Sequence, residues 1–187
     1  MRILGVDPGS HKTGWGIIDV ADHGRATIEH VDNGVLMLDD SRDLTVRLVD
    51  LCHRLKDIIV RYQPACAAVE DVFVHKGARS ALILGQARGA ALATLGLAGL
   101  QVTSIPTSKV KLQVTGGGRA DKAQVAEMVR VLLKLKEVPF EDAADALAVA
   151  IAVAGAPVNV VAMPSAPKGR GRGRDALLAL AKAQGKA

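Results

Sequence analysis

Four carboxylates in this chain stand where chemistry can be built: Asp7, Glu70, Asp142 and Asp145. Asp7 closes the apolar run Ile3-Leu4-Gly5-Val6, and Glu70 closes Ala67-Ala68-Val69, so each acid ends a segment that reads as a buried strand. Asp142 and Asp145 open an Ala/Leu/Ile-rich segment, and a spacing of three puts both on one helical face. Unpaired acids brought together repel and raise one another's pKa values. A divalent cation removes that cost, and hard oxygen donors suit Mg²⁺ or Mn²⁺. The expectation is a metal-dependent active site.

Each acid also has a structural reading. An Asp before Pro8-Gly9 is a common turn former, and Glu70 or Asp71 could be a solvated strand end. Asp142 and Glu141 complement a helix macrodipole at its start, and Glu141 is expected to be purely structural. Asp145 is harder to explain that way. It lies between Ala144 and Ala146-Leu147, where an unpaired carboxylate is costly.

The elements that must position these acids follow from periodicity. Residues 2–7 read as a strand, then a Pro8-Gly9-Ser10 turn, a Gly-spaced second strand from Thr13 to Val20, and a third within 25–38. Leu44, Leu48, Leu51, Leu55, Ile58 and Tyr62 mark an amphipathic helix, capped by Asp43 or Ser41 and ended by Gln63-Pro64. A strand from Ala65 to Glu70, a small-residue helix over 78–98 and a strand Val102–Ile105 come next. Helical pieces near 107–114 and 121–135 bracket Gly116-Gly117-Gly118, and a last helix covers about 141–154. This order predicts a mixed five-stranded α/β sheet flanked by helices, with strands 1 and 4 adjacent so that Asp7 and Glu70 meet.

A length of 187 residues fits one domain, expected over 1–156, with a mobile basic Gly/Arg tail over 157–187. An apolar share of 49% suffices for a real core. No apolar run is expected to span a bilayer, and Met1-Arg2-Ile3-Leu4 leads straight into a strand, unlike a signal peptide. Cys52 and Cys66 lack CxxC spacing and read as buried thiols in a reducing cytoplasm.

Charge is unevenly spread. Residues 1–74 hold 8 basic and 12 acidic side chains, whereas 75–136 hold 10 basic against Asp121 and Glu127. Residues 137–164 carry four acids and no base, and the tail 165–187, at net +5, equals the charge of the whole chain. Acidic segments bearing the proposed site thus flank a basic middle, as a polyanion-binding enzyme requires. Lys76 and Arg79, with Lys109, Lys111, Arg119 and Lys122 around the glycine turn, are candidates for phosphate contacts. Phe73, beside the first of these, could wedge or stack on unpaired bases, or be an ordinary core residue. Trp15, Tyr62 and Phe140 are expected to pack, and Arg88 to serve structure or a dimer contact.

With these residues in hand, the chain resembles the RuvC family of bacterial Holliday-junction resolvases, within the ribonuclease H-like superfamily. The similarity runs from Met1 to about Val153. It rests on Ile3-Leu4-Gly5-Val6-Asp7-Pro8-Gly9-Ser10, Ala68-Val69-Glu70-Asp71-Val72-Phe73, Leu84-Gly85-Gln86-Ala87-Arg88-Gly89, Gly118-Arg119-Ala120-Asp121-Lys122 and Asp142-Ala143-Ala144-Asp145. The resemblance implies a ribonuclease H-like fold and a homodimer. It also implies nicking of two like-polarity strands at a four-way DNA junction, with Mg²⁺ (two ions per site, Mn²⁺ as a substitute). It assigns the site to Asp7, Glu70, Asp142 and Asp145, supports Phe73, Lys111 and Lys122 as DNA contacts, and implies a partnership with the RuvA–RuvB branch-migration machinery.

Rival readings make distinct demands. An ATP-hydrolysing fold of the actin and sugar-kinase type shares the Asp7-Pro8-Gly9-Ser10 loop but needs a second phosphate loop and a longer chain. Another nuclease of the superfold, acting on RNA, need not carry the Phe73 and Gly118–Lys122 signatures. A non-catalytic binding module would tolerate loss of Asp7 or Asp145.

Overall fold

Alternation along the first strand sets the architecture. In β1 (Arg2–Asp7), Ile3 and Gly5 face one side of the sheet, whereas Leu4 and Val6 face the other, each packing into a different apolar cluster. The computed structural model describes residues 1–22, 26–71 and 77–155. Phe73, Lys76 and the expected tail lie outside them. β2 (Lys12–Asp22) and β3 (Ala26–Met37) continue from β1 as an antiparallel meander. β4 (Cys66–Asp71) pairs parallel with β1, and β5 (Gln101–Pro106) pairs parallel with β4. The mixed sheet has the order β3-β2-β1-β4-β5 and places β1 at its centre, as expected.

One face is covered by α1 (Leu44–Tyr62) and α2 (Ala78–Leu97), the crossover helices on either side of β4. The other carries α3 (Thr107–Thr115), α4 (Lys122–Leu132) and α5 (Glu141–Ala154). α5 lies directly on β1 and β2 because the strands beneath it present glycine. A Cβ on Gly5 would fall 2.1 Å from the Ala146 carbonyl oxygen, and one on Gly14 only 1.8 Å from that of Asp142.

Several local expectations need correction. Asp43 precedes α1, yet neither it nor Ser41 caps the helix through its side chain; the Asp43 carbonyl accepts from the Arg47 N–H instead. Ser41 donates to Asp39, which diverts it from the helix. Trp15 and Tyr62 do pack, with ring centroids 5.6 Å apart, but Phe140 is 83% exposed. It is the residue just before α5, and its side chain is left in solvent. Cys52 and Cys66 are half-buried rather than buried. α2 is also long and apolar enough to cross a membrane, against the expectation for this chain, although only Ala87, Ala91 and Leu95 of it are buried. Its packing on α1 and the sheet, and the tie of Arg88 to β4, make it a surface helix of the domain.

Candidate active site

Pairing brings the first two acids together. β1 and β4 run parallel with Val6 opposite Val69, so Asp7 and Glu70 are next in register, on strands about 4.8 Å apart. Period-two alternation turns both toward the α5 face, the face of Ile3, Gly5, Cys66 and Ala68. Asp145, one turn into α5, comes down onto the same place. Asp7, Glu70 and Asp145 line one pocket of about 280 Å³ together with Thr107, Val110, Lys111, Lys122, Val125 and Ala148.

The electrostatics of this pocket are those of crowded carboxylates. Burial pushes the Asp7 carboxyl up to about 8, and neighbouring Glu70 and Asp145 add to the effect, against a smaller opposing pull from Lys122. Burial also raises Asp145 above the usual carboxylate range, although Lys122 opposes it. The Lys122 ammonium donates to Asp145 at 3.2 Å and to Glu141 at 2.6 Å. Chiefly through Glu141, this holds the lysine above its ordinary value, while Glu141 is drawn below its own. Glu141 therefore does more than complement the helix dipole. It anchors the cation that neutralises Asp145.

Asp142 behaves differently. It is half-exposed and does not line the pocket, although its backbone carbonyl sits against Gly14, the residue paired with Asp7 across β1 and β2. Among the described residues no three acidic, imidazole or thiol side chains meet at a spacing that would hold a single ion. The donor set nonetheless fits a hard divalent cation. It consists of carboxylate oxygens gathered in one pocket, with Asp7 largely buried among them. Lys122 at present occupies part of the Asp145 carboxylate that an ion would take.

The other candidate residues distribute around this pocket. Lys111, on α3, lines it directly; Lys109 on the same helix is exposed. Arg119 lines a separate, wider groove with Thr115, Gly117, Gln124 and Met128. Arg79 is exposed in the first turn of α2. Asp121 caps α4 in a reciprocal box with Gln124, which fixes the helix that begins at Lys122. Two further residues at the site were not among the candidates. Thr107 lines the pocket at the start of α3, its signal being the position directly after the strand-ending Pro106. Arg88 binds the end of β4; its place within Leu84–Gly89 was visible, but nothing in the spacing named its partners.

Acids at the ends of two parallel central strands, faced by an acid on the last helix across a 3-2-1-4-5 sheet, define an α/β protein of the ribonuclease H-like type. Comparison with known proteins narrows this. The family model described as crossover junction endodeoxyribonuclease RuvC matches residues 3–153. A relative of that name from Citrifermentans bemidjiense is 51% identical over 149 residues, which is 80% of this chain and 89% of the relative. One from Halorhodospira halophila is 48% identical over 147 residues, 79% of this chain and 86% of the relative. The solved structure of Thermus thermophilus RuvC matches with a TM-score of 0.75 at 32% identity, covering 82% of this chain and 93% of that one. The T. thermophilus protein in complex with a Holliday junction substrate matches at 0.74 and 30%, with the same coverage. The yeast mitochondrial Holliday junction resolvase Ydc2, at 0.58 and 14% identity over 81% of this chain and 77% of its own, shares the fold alone. The chain belongs to the RuvC family.

Proposed function

We propose that this chain is a structure-specific endonuclease that resolves Holliday junctions by two symmetric, metal-dependent nicks. These leave 5′-phosphate and 3′-hydroxyl ends and serve homologous recombination and DNA repair in the cytoplasm. The observation that carries the reading is the convergence of Asp7, Glu70 and Asp145 with Lys111 and Lys122 in one pocket of a RuvC-family chain. Asp7, Glu70, Asp142 and Asp145 are the residues that would hold two divalent ions, Mg²⁺ or Mn²⁺, with Asp7 central. Such ions would neutralise charge at both the attacking and the departing oxygen of an in-line displacement.

The chain's own residues supply the rest. Lys122, released from Asp145 and Glu141, and Lys111, which lines the same pocket, are assigned to the non-bridging oxygens of the scissile phosphate. Val110, Val125 and Ala148 add an apolar part to the lining beside these acids. Arg79, Lys109 and Arg119, exposed around the pocket, together with Phe73 and Lys76, are assigned to the junction arms. A homodimer gives the second, symmetric nick. α2 supports it, since this helix of 20 residues exposes Leu82 and Leu97 at 64% and 91%. A functional partnership with RuvA–RuvB belongs to the same reading.

The test incubates the protein with Mg²⁺ and a synthetic four-way junction beside a linear duplex of the same arms. Paired symmetric nicks confined to the junction are expected. Asp7→Asn, Glu70→Gln, Asp142→Asn and Asp145→Asn should each lower cutting at least about 10²-fold while junction binding survives. Full cleavage by any of them would remove that acid from the site, and equal cutting of the linear duplex would overturn junction specificity.

A further inference from the structure

We propose that Arg88 is a positioning residue for Glu70, holding the end of β4 so that the Glu70 carboxylate stays beside Asp7; the inference rests on reading Glu70 as a metal-holding acid. At the end of β4 the ladder with β1 stops just before Glu70, and the ladder with β5 ends one residue after it. Pairing with β1 reaches Val6 and Val69, one residue short of Glu70. On the other flank Asp71 faces Pro106, which has no N–H to donate. Glu70 is therefore paired on one flank only, with Ile105 of β5, one position before that ladder ends.

Arg88 supplies the missing hold from α2. Its Nε donates to the Glu70 carbonyl oxygen at 3.1 Å. Its Nη2 donates to the Asp71 carboxylate at 2.5 Å and to the Ser104 hydroxyl on β5 at 2.8 Å. One guanidinium thus bridges a main-chain carbonyl, the next side chain and the neighbouring strand. Its side chain is 22% exposed, so these bonds face only partial competition from water. The planar fork is what allows three directed bonds at once; a lysine could keep the ion pair with Asp71 but not this geometry.

The sign of the expected effect separates positioning from simple electrostatics. A cation near a cation-binding site repels the incoming ion, so removing the Arg88 charge would by itself tighten metal binding. Positioning predicts the reverse. In the full-length protein without DNA, Arg88→Gln should weaken Mn²⁺ binding, read by electron paramagnetic resonance or calorimetry, by about 10–100-fold. The Mg²⁺ concentration giving half-maximal junction cleavage should rise by a similar factor, while junction affinity changes by less than about twofold and Arg88→Lys recovers only part of the loss.

Tighter or unchanged Mn²⁺ binding in folded Arg88→Gln would overturn the proposal, as would a loss of thermal stability with normal metal affinity. Should Arg88→Gln fail to fold, Ser104→Ala and Asp71→Asn each remove one anchor and leave the bond to Glu70. Both should raise the Mg²⁺ requirement a few-fold, and no change in either overturns the role. Glu70→Gln is the control. If it binds Mn²⁺ normally, the metal reading of Glu70 fails and takes the proposal with it; if it loses Mn²⁺ while Arg88→Gln does not, positioning alone fails.

Discussion

α5 and α2 are both Ala- and Leu-rich helices packed on opposite faces of one sheet, yet they have opposite fates. Every residue of α5 from Ala146 to Val153 is buried, whereas α2 buries only Ala87, Ala91 and Leu95 along its length. The difference lies in what each meets. α5 rests on Gly5, Gly14 and Gly16, whose missing side chains let the helix backbone descend onto the strands. α2 packs one side on α1 and β5 and turns Leu82 and Leu97 outward. The helix that carries Asp142 and Asp145 is thus locked into the chain's own core, and the one on the opposite face leaves apolar side chains exposed. Apolar composition alone does not separate the two helices; the surface each one meets does.

Filling the space under α5 tests the first half of this contrast and should give the largest effect. A Cβ on Gly14 would lie 1.8 Å from the Asp142 carbonyl oxygen, a distance no relaxation of a flexible side chain can relieve. Gly14→Ala should lower the free energy of unfolding by about 3 kcal/mol or more, measured by urea titration. Junction cleavage by the folded fraction should fall as well, because the start of α5 can no longer sit beside Asp7. On α2, an added Cβ on Gly85 meets nothing within 4 Å. Gly85→Ala should leave the monomer unharmed or stabilise it by about 0.5–1 kcal/mol. Equal destabilisation by the two changes would erase the distinction between the helices.

The second half of the contrast is tested by a charge on α2. Leu82→Glu should weaken dimerisation at least about tenfold in sedimentation equilibrium, a loss of about 1.4 kcal/mol. The thermal midpoint of the dissociated chain should hardly move, since Leu82 is 64% exposed there. An unchanged dimer constant would place the interface elsewhere. Symmetric nicking should weaken in step with the dimer, while single nicks persist.

Much of this arrangement is legible in the residues because it depends on short-range rules. Two acids ending apolar strands must share a face if the strands pair in register, and alternation decides which face, so Asp7 and Glu70 follow from spacing. Asp145 follows from helical periodicity and from the cost of a lone carboxylate among alanines. What escapes is whatever depends on long side chains reaching across the fold. The bonds of Lys122 to Glu141 and Asp145, 19 and 23 residues away, are one example. The three bonds of Arg88 are of the same kind, set by the meeting of α2 with the sheet. Phe140 fails for another reason: an aromatic was assigned to the core by type, whereas the loop before α5 carries it into solvent. Asp142 shares a helical face with Asp145 by its spacing of three, but spacing alone does not say that it stays half-exposed and outside the pocket lining.

A further effect concerns what the crowded face costs in the absence of metal. Asp7 has a folded-state pKa of about 8, raised by burial and then by Glu70 and Asp145, against about 3.9 for an unfolded aspartate. A group with a raised folded pKa favours folding fully only below its unfolded value, and that contribution is lost as pH climbs toward the folded value. Chelator-treated protein should therefore lose stability between about pH 4 and pH 8. Asp7→Asn, which resembles the protonated acid, should escape that loss: equal to the parent near pH 4, and more stable near pH 8 by about 1 kcal/mol or more, some 2–4 °C. The glycine-floored face would then be shown to carry a strain that only its cation relieves. Adding Mn²⁺ at pH 8 should raise the melting temperature of the parent and leave Asp7→Asn nearly unmoved. If instead both respond alike, the cation does not act through Asp7, and the strain on this face has another source.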